Sequence, residues 1–399
     1  MISFRKFQNF EEAEPIKSEW DRFVETQTSD IFLTYDWCRI WWKYYGKKRE
    51  PLLFVFRNDG QICGVLPMFR EKIRLGPFSA RVVKLMCTDY SPVTVSIAIR
   101  TENLEAVIRL LLEELQKLHP WDIIFFGALC GRYPDTDLLS SILENHLGEK
   151  YSIRSRQSDV QTYFQIESDW EKQLLSMNTD NRTKMRRVHK TIRDRDLQLY
   201  SKVVTNENIS EMFARMVDTH QAQWNEIGMP GHFTEWPMAI QYHREMAQIQ
   251  AENGRLRLME VWLSEKPIGY QYLYRFGDTY LEFITGRTHY EDEKKIHFHR
   301  VSFSEKFRMA IRENVHWIDA MRGQYDYKRE MGGKLFPVMN IYTYAKYGSR
   351  SLNMNLFFLF TWILNVCYSK VWRRRVMPRA GIKSRQFLDL WVRTHCFTK

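Results

Sequence analysis

The chain of 399 residues is longer than one average domain, and because 44% of its residues are hydrophobic, a disordered protein is excluded. Its net charge of +11 lies mostly in residues 370–399, which hold nine Lys or Arg and one Asp. The remainder carries only +3, which excludes a broadly basic DNA-binding protein. The six cysteines form no CxxC pair or metal-ligand spacing, and residues 1–15 lack the apolar core of a secretion signal, so we expect a cytoplasmic protein without a metal.

The first half of the chain alternates predicted helices and strands. A very aromatic helix at residues 34–46 ends at Gly46, and the turn Asn58-Asp59-Gly60 joins two apolar runs into a predicted hairpin. The other predicted elements are a helix at 18–27, apolar runs at 82–86 and 93–99, a helix at 102–118, a strand at 121–127, a helix near 137–146 and a strand at 151–155. This half is therefore predicted to be α/β.

A strongly basic predicted helix follows, because residues 182–196 hold seven Lys or Arg against two Asp. The second half then repeats the order of hairpin, helix and buried strand. Its predicted elements are strands at 255–263 and 267–276 around the turn Ser264-Glu265-Lys266, a strand at 279–286, a helix at 295–312 and a strand at 315–320 that leads into IDAMRGQYDYK. The repeated order indicates a weak internal duplication.

Residues 352–368 form an apolar predicted helix that is followed at once by Lys370 and three arginines. Three asparagines interrupt the helix, and its apolar part is shorter than the roughly 20 residues that a membrane span needs. Two interpretations stay open. The helix packs on the second domain, or residues 352–375 bind a membrane surface peripherally on its inner face, with the basic end on anionic headgroups.

The segment from Asp319 to Lys328 and the pair His220 and Trp224 resemble motifs of the CelD-like branch of the GNAT acyltransferases. The resemblance covers roughly residues 20–345 and implies an α/β (α+β) fold. The implied fold consists of two tandem GNAT-like domains, each with a mixed, mainly antiparallel sheet flanked by helices, and of a C-terminal amphipathic helix. The implied division is an N-terminal domain at 1–160, a basic connecting segment at 161–205, an acyltransferase domain at 206–348, and an apolar helix with a basic tail at 349–399.

The resemblance also implies roles for individual residues. Asp319 would be the general base, or else would cap the following turn, while Gly323 would make a turn with positive φ. Tyr327 and Lys328 would bind the acceptor or donate a proton, unless they are structural. His220 and Trp224 share a helix face that would line the acceptor pocket or pack in the core, and Arg186 and Arg187 would bind a phosphate-rich substrate or belong to a solvated helix.

The identity of the acyl donor stays open. GNAT enzymes hold the CoA pyrophosphate on a glycine-containing loop, but residues 287–302 contain no glycine at the corresponding place. Lys294, Lys295 and Arg300 would contact the phosphates of acetyl-CoA or another acyl-CoA instead. We expect acyl transfer, as N- or O-acetylation, to a sugar-containing or lipid-linked precursor of a cell-surface polysaccharide. The alternatives are a FemABX-like transferase that takes an aminoacyl group from tRNA, and a catalytically silent partner protein in polysaccharide synthesis.

Overall fold

The computed structural model describes residues 1–28, 30–90, 93–118, 120–204, 207–228, 231–290, 295–379 and 392. They form two compact units. The first comprises residues 1–159 and 337–399, and the second comprises residues 160–336. Each unit combines helices with mainly antiparallel strands, so the predicted mixed α/β fold class is confirmed.

The strands are, in chain order, β1 Ile2–Phe7, β2 Glu50–Asn58, β3 Gln61–Leu75, β4 Phe78–Leu85, β5 Ile123–Cys130, β6 Tyr151–Gln165, β7 Leu199–Val203, β8 Leu256–Leu263, β9 Lys266–Phe276, β10 Thr279–Arg287, β11 Trp317–Arg322 and β12 Lys334–Ala345. The helices are α1 Phe10–Ala13, α2 Lys17–Thr28, α3 Tyr35–Tyr45, α4 Leu104–Lys117, α5 Asp135–Leu147, α6 Trp170–Ser176, α7 Thr179–Asp194, α8 Ile209–Glu226, α9 His232–Glu235, α10 Ala239–Glu252, α11 Phe298–Arg312, α12 Asp326–Glu330, α13 Gly348–Val366 and α14 Met377–Arg379. A π-helical stretch, Cys367–Val376, joins the last two helices.

In the first unit the strand order is β1, β2, β3, β4, β5 and β12, and all neighbours are antiparallel except β4 and β5. Asp59 and Gly60 have φ of 49° and 83°, the left-handed conformation that the predicted two-residue hairpin turn requires. Alternating apolar residues of the strands and the amphipathic helix α4 build the core, because each presents one apolar face to it.

In the second unit the order is β6, β11, β10, β9, β8 and β7, and only β10 and β11 run parallel. Helices α6, α7 and α11 cover one face of this sheet, with Phe303 and Phe307 at the centre of a buried cluster. Helices α8 and α10 pack against the strands β8, β9 and β10 through a second aromatic group around Phe283. The parallel pair thus lies at the centre of a helix-covered sheet.

The observed grouping differs from the predicted division in two places. Residues 161–205 belong to the second unit, because α6 and α7 pack on α11 rather than standing apart as a connector. Residues 337–399 belong to the first unit, because β12 pairs with β5 and the helix α13 buries Met354 and Phe357 against β3 and β4. Packing of this helix on the second domain, one of the two interpretations left open, is therefore wrong, because the helix packs on the first unit.

Candidate acyltransferase site

The hydrogen-bond ladder between the two parallel strands of the second unit ends early. β10 and β11 pair only from Thr279 to Leu281 and from Trp317 to Asp319, although both strands continue beside their outer partners. A bulge in β10 between Glu282 and Ile284 marks the point where the pairing stops. We call the part in which β10 and β11 no longer pair with each other, residues 282–287 of β10 and 320–322 of β11, the strand cleft.

A buried ion pair lies where the strand cleft opens. The ammonium of Lys306 on α11 is completely buried and donates to Glu282 Oε2 over 2.5 Å, and it also lies 3.9 Å from the ring centroid of Phe303. Burial lowers the pKa of Lys306, although the Glu282 carboxylate opposes the shift. The pair places two opposite charges beside the cleft in a low-dielectric environment.

Tyr327 lies on the same side of the sheet as this ion pair. Its ring packs 6.1 Å from Phe303 and 5.8 Å from Tyr325, measured between ring centroids, and 43% of the residue is exposed. Partial burial, with the nearby Glu282 carboxylate, raises the pKa of the Tyr327 phenol. The hydroxyl is therefore protonated at neutral pH and able to donate a proton.

Asp319 is almost fully buried at the last paired position of β11. Its Oδ1 accepts hydrogen bonds from the Met321 N–H at 2.8 Å and from Gln161 Nε2 at 2.5 Å. Burial raises the pKa of the Asp319 carboxyl to about 6, while the hydrogen bonds from Met321, Tyr163 and Gln161 act in the opposite direction. A carboxyl with this pKa suits a general base at neutral pH.

Asp319 and Tyr327 lie on opposite faces of the sheet. Ile318 and Ala320 belong to the core cluster under α11, and successive strand side chains alternate, so Asp319 points to the other face. The ring of Tyr327 packs on Phe303 of α11. The structure therefore brings Asp319 close to Lys328 but does not bring it into contact with Tyr327.

Lys328 fixes the end of β11 by hydrogen bonds to its backbone. Its buried ammonium donates to the carbonyl oxygens of Ala320 at 2.6 Å and of Met321 and Arg322 at 3.3 Å. These carbonyls belong to the irregular end of the strand, where Gly323 has a φ of +106°, as predicted for a turn with positive φ. Lys328 thus satisfies, by hydrogen bonding, the backbone carbonyl oxygens along the β11 wall of the strand cleft.

His220 and Trp224 lie together on α8, with ring centroids 5.9 Å apart. His220 Nδ1 is 2.7 Å from the Thr285 carbonyl oxygen, so this nitrogen carries the proton, and Nε2 accepts the His232 backbone N–H at 3.3 Å. Burial lowers the pKa of His220 to about 4, which keeps the ring neutral at pH 7. The pair therefore lies beside the β10 wall of the strand cleft.

Of the residues expected to hold the donor phosphates, Lys294 lies outside the described residues. Lys295 precedes α11 and is exposed, and Arg300 lies in its first turn. Arg300 is partly buried, and burial lowers its pKa while the carboxylates of Asp180 and Glu330 oppose the shift. Arg300 would therefore have to leave two acidic neighbours to contact a pyrophosphate.

Arg186 and Arg187 line a groove of about 550 Å³ between α6, α7 and α11. We call it the basic groove, and its lining residues are Trp170, Glu171, Leu174, Arg186, Arg187, His189, Lys190, Arg193 and Arg308. Arg186 pairs with Glu171 at 3.0 Å, and Arg308 lies 4.8 Å from the ring centroid of Trp170. Burial, with Arg308 and Arg193, lowers the pKa of His189 to about 4, so five cations face one carboxylate at pH 7.

Sequence reasoning missed the pair Glu282 and Lys306. The signal is present in the helix, because Lys306 shares the apolar stripe of Phe303 and Ala310 at spacings of three and four. A lysine on the buried face needs a buried partner. Its partner on β10 lies next to the bulge, and a bulge has no sequence signature strong enough to identify that glutamate in advance.

Residues 179–329 match the family described as the acetyltransferase (GNAT) domain. The match contains both walls of the strand cleft, the ion pair, and Tyr327 with Lys328. This part of the second unit is therefore similar to a GNAT acetyltransferase domain. For the described residues, no group of three or more His, Cys, Asp or Glu side chains is arranged to hold a metal ion.

Two solved structures resemble the chain over most of its length. The crystal structure of FemX matches with a TM-score of 0.60 and 13% sequence identity. The match covers 86% of this chain and 98% of the FemX chain. A conserved protein of unknown function from Bacteroides thetaiotaomicron is also 13% identical, with a TM-score of 0.53 over 86% of this chain and 100% of that one. These likenesses show a shared fold. The comparison with curated proteins found no match.

Proposed function

We propose that the protein transfers an acyl group from a CoA thioester to an amine or hydroxyl of a sugar-containing precursor of a cell-surface polysaccharide. The observation that carries the proposal is the strand cleft, because it lies inside the matched GNAT domain and leaves the backbone groups of two parallel strands facing each other without a ladder. In the proposal, a linear acyl chain lies between these two strands, and backbone N–H groups along the opening bind its carbonyl oxygen. The sugar-containing acceptor rests on the CelD-like motifs alone.

In this proposal the reaction is a direct displacement. The acceptor nitrogen or oxygen forms a bond to the thioester carbonyl carbon, the acceptor proton passes to Asp319, and the C–S bond then breaks. The leaving thiolate takes its proton from Tyr327. Lys328 stabilises negative charge that develops near the end of β11, and His220 with Trp224 orients the acceptor, the Trp by stacking on a sugar ring.

The opposite orientation of Asp319 and Tyr327 gives this proposal a specific requirement. The acceptor must approach from the face that Asp319 occupies, while the departing sulfur lies on the α11 face with Tyr327. In this proposal the strand cleft is the opening that connects the two faces of the sheet, so that the acceptor and the thioester can meet there. Asp319→Asn should therefore remove the pH dependence of transfer near pH 6, whereas Tyr327→Phe should lower the rate at every pH.

The test has two stages. Calorimetry with acetyl-CoA, longer acyl-CoAs and free CoA measures donor binding, and acetyl transfer to amino sugars and their lipid-linked forms is then measured for Asp319→Asn and Tyr327→Phe. The matched control is Tyr325→Phe, because Tyr325 belongs to the same ring cluster and is more exposed. Full activity in both folded variants would refute the assigned roles. Absence of saturable donor binding would instead favour the silent partner protein.

The basic groove favours a second candidate, aminoacyl transfer from charged tRNA. Four of its five cations lie on α7 and Arg308 lies on α11, and the Trp170 indole offers a surface on which an unpaired base can stack. Reversing charge with Arg186→Glu and Arg187→Glu should abolish a salt-sensitive association with tRNA, while Lys117→Glu on α4, an exposed position of the first unit, should not. If the unaltered chain showed no measurable association with tRNA at low salt, this candidate function would be refuted.

A further inference from the structure

The helix α13 has two opposite apolar faces. One face buries Met354, Phe357, Phe358 and Thr361 against the sheet of the first unit. The other face exposes Leu352, Leu356, Leu359 and Ile363, which follow one another at spacings of four, three and four residues. Such spacing keeps the exposed residues on a single stripe, so the helix presents continuous apolar surface away from the core.

This surface is exceptional within the protein. Of the 18 large hydrophobic residues found exposed in the described chain, eight lie between Leu352 and Val376. They include two tryptophans, Trp362 and Trp372, at 43% and 39% exposure. An apolar crevice of about 380 Å³ with Tyr368 and Trp372 in its lining continues the surface beyond the helix. A soluble monomer seldom exposes a contiguous apolar patch of this kind without a partner.

The charges around the stripe indicate which partner fits it. From residue 349 to residue 388 the sequence contains eight Lys or Arg and no Asp or Glu. Lys370, Arg374 and Arg375 are exposed in the turns that follow α13. An apolar stripe with tryptophans and an all-cationic border is complementary to a bilayer that carries anionic headgroups.

Crossing the bilayer would require the helix to leave its place in the first unit. By length and composition alone, residues 348–376 are long and apolar enough to span a membrane, but 33% of an apolar 18-residue stretch of this segment is buried inside the protein. Spanning would expose the inner face around Phe357 and open the core cluster of that unit. The folded structure is therefore compatible with a helix that lies in the membrane surface.

We propose that α13 and the basic turns after it bind the surface of an anionic lipid bilayer, with the stripe from Leu352 to Ile363 in the interfacial region and the first unit outside the membrane. The proposal is independent of acyl transfer, because it rests on the first unit and its assay measures no reaction. Its consequence is a protein held peripherally at a membrane, where a lipid-linked acceptor would also lie.

The experiment uses the full chain with vesicles of phosphatidylcholine, with and without phosphatidylglycerol. We expect sedimentation with the anionic vesicles and an apparent partition coefficient at least tenfold lower for the triple variant Leu356→Ser, Leu359→Ser and Ile363→Ser. The matched control replaces Leu138, Leu175 and Ile227 by Ser. These two leucines and one isoleucine are exposed, the leucines on α5 and α6 and the isoleucine directly after α8. Equal partition of the two triple variants, each shown to be folded by circular dichroism, would overturn the proposal.

A second arm tests the charges. Replacing Lys370, Arg374 and Arg375 by Gln should weaken binding to anionic vesicles by roughly 100-fold, because each basic residue near such a surface contributes about 1 kcal/mol. About 0.5 M salt should have a similar effect. If the unaltered chain binds neither vesicle, or if it is a dimer that the apolar triple variant dissociates, the stripe is an interface between two copies and the proposal is wrong.

Discussion

Asp319→Asn should stabilise the protein at neutral pH. Burial raises the pKa of Asp319 from 3.8 to about 6, so in this range the folded chain binds more protons than the unfolded chain does, and stability falls as pH rises from about 4 to about 6. A shift of roughly two units corresponds to about 3 kcal/mol of destabilisation above pH 6. Asn removes the buried charge, while its Oδ1 can still accept from Met321 and Gln161.

The assay is denaturant unfolding of both proteins between about pH 4 and pH 8, with hydrogen exchange of the β11 amides to locate the effect. The variant should match the wild type within about 1 kcal/mol at the acidic end and exceed it by about 3 kcal/mol at the alkaline end. Taking the difference between the proteins cancels the titration of all other groups. Asp326→Asn serves as control, because Asp326 is highly exposed on α12. A stability difference that does not change with pH would refute the reasoning.

The remaining predictions concern residues that border the strand cleft. Lys306→Met should cost about 3–5 kcal/mol of unfolding free energy because it leaves Glu282 largely buried without its cation, and adding Glu282→Gln should restore at least half of the loss in a double-mutant cycle. A double variant as unstable as the single one would contradict this. Gly269→Ala should cost about 1–3 kcal/mol, because a Cβ there would lie 2.4 Å from the Phe298 ring and 2.5 Å from the Gly286 carbonyl oxygen. An unchanged denaturation midpoint would show that β9 and α11 move apart freely.

Many helices, strands and turns could be predicted from the sequence, because the spacing of the hydrophobic residues and the turn-forming residues indicate the same elements. The aromatic helix predicted at 34–46 is observed at Tyr35–Tyr45, and both hairpins form around the predicted turns. Gly323 has the predicted positive φ. These features depend on interactions between residues close in the chain, which a local pattern can report.

The remainder depends on contacts between distant residues. No local pattern assigns β12 to the sheet of the first unit, because its partner β5 precedes it by about 200 residues. The face on which Asp319 points depends on register with β6 and β10, and a change of one residue would reverse it. For the same reason the roles of Asp319, Tyr327 and Lys328 stay predictions until activity is measured.

The chain path of the first unit also has a consequence for synthesis. This unit consists of residues 1–159 and 337–399, so its β5 edge stays open until β12 has left the ribosome, whereas residues 160–336 are all available earlier. A strand with one open edge such as β5, with six apolar residues in residues 123–129, is a template for association with other chains. We therefore expect the nascent chain to need chaperone protection over this interval, and a chain that stops near residue 336 to aggregate through its first unit.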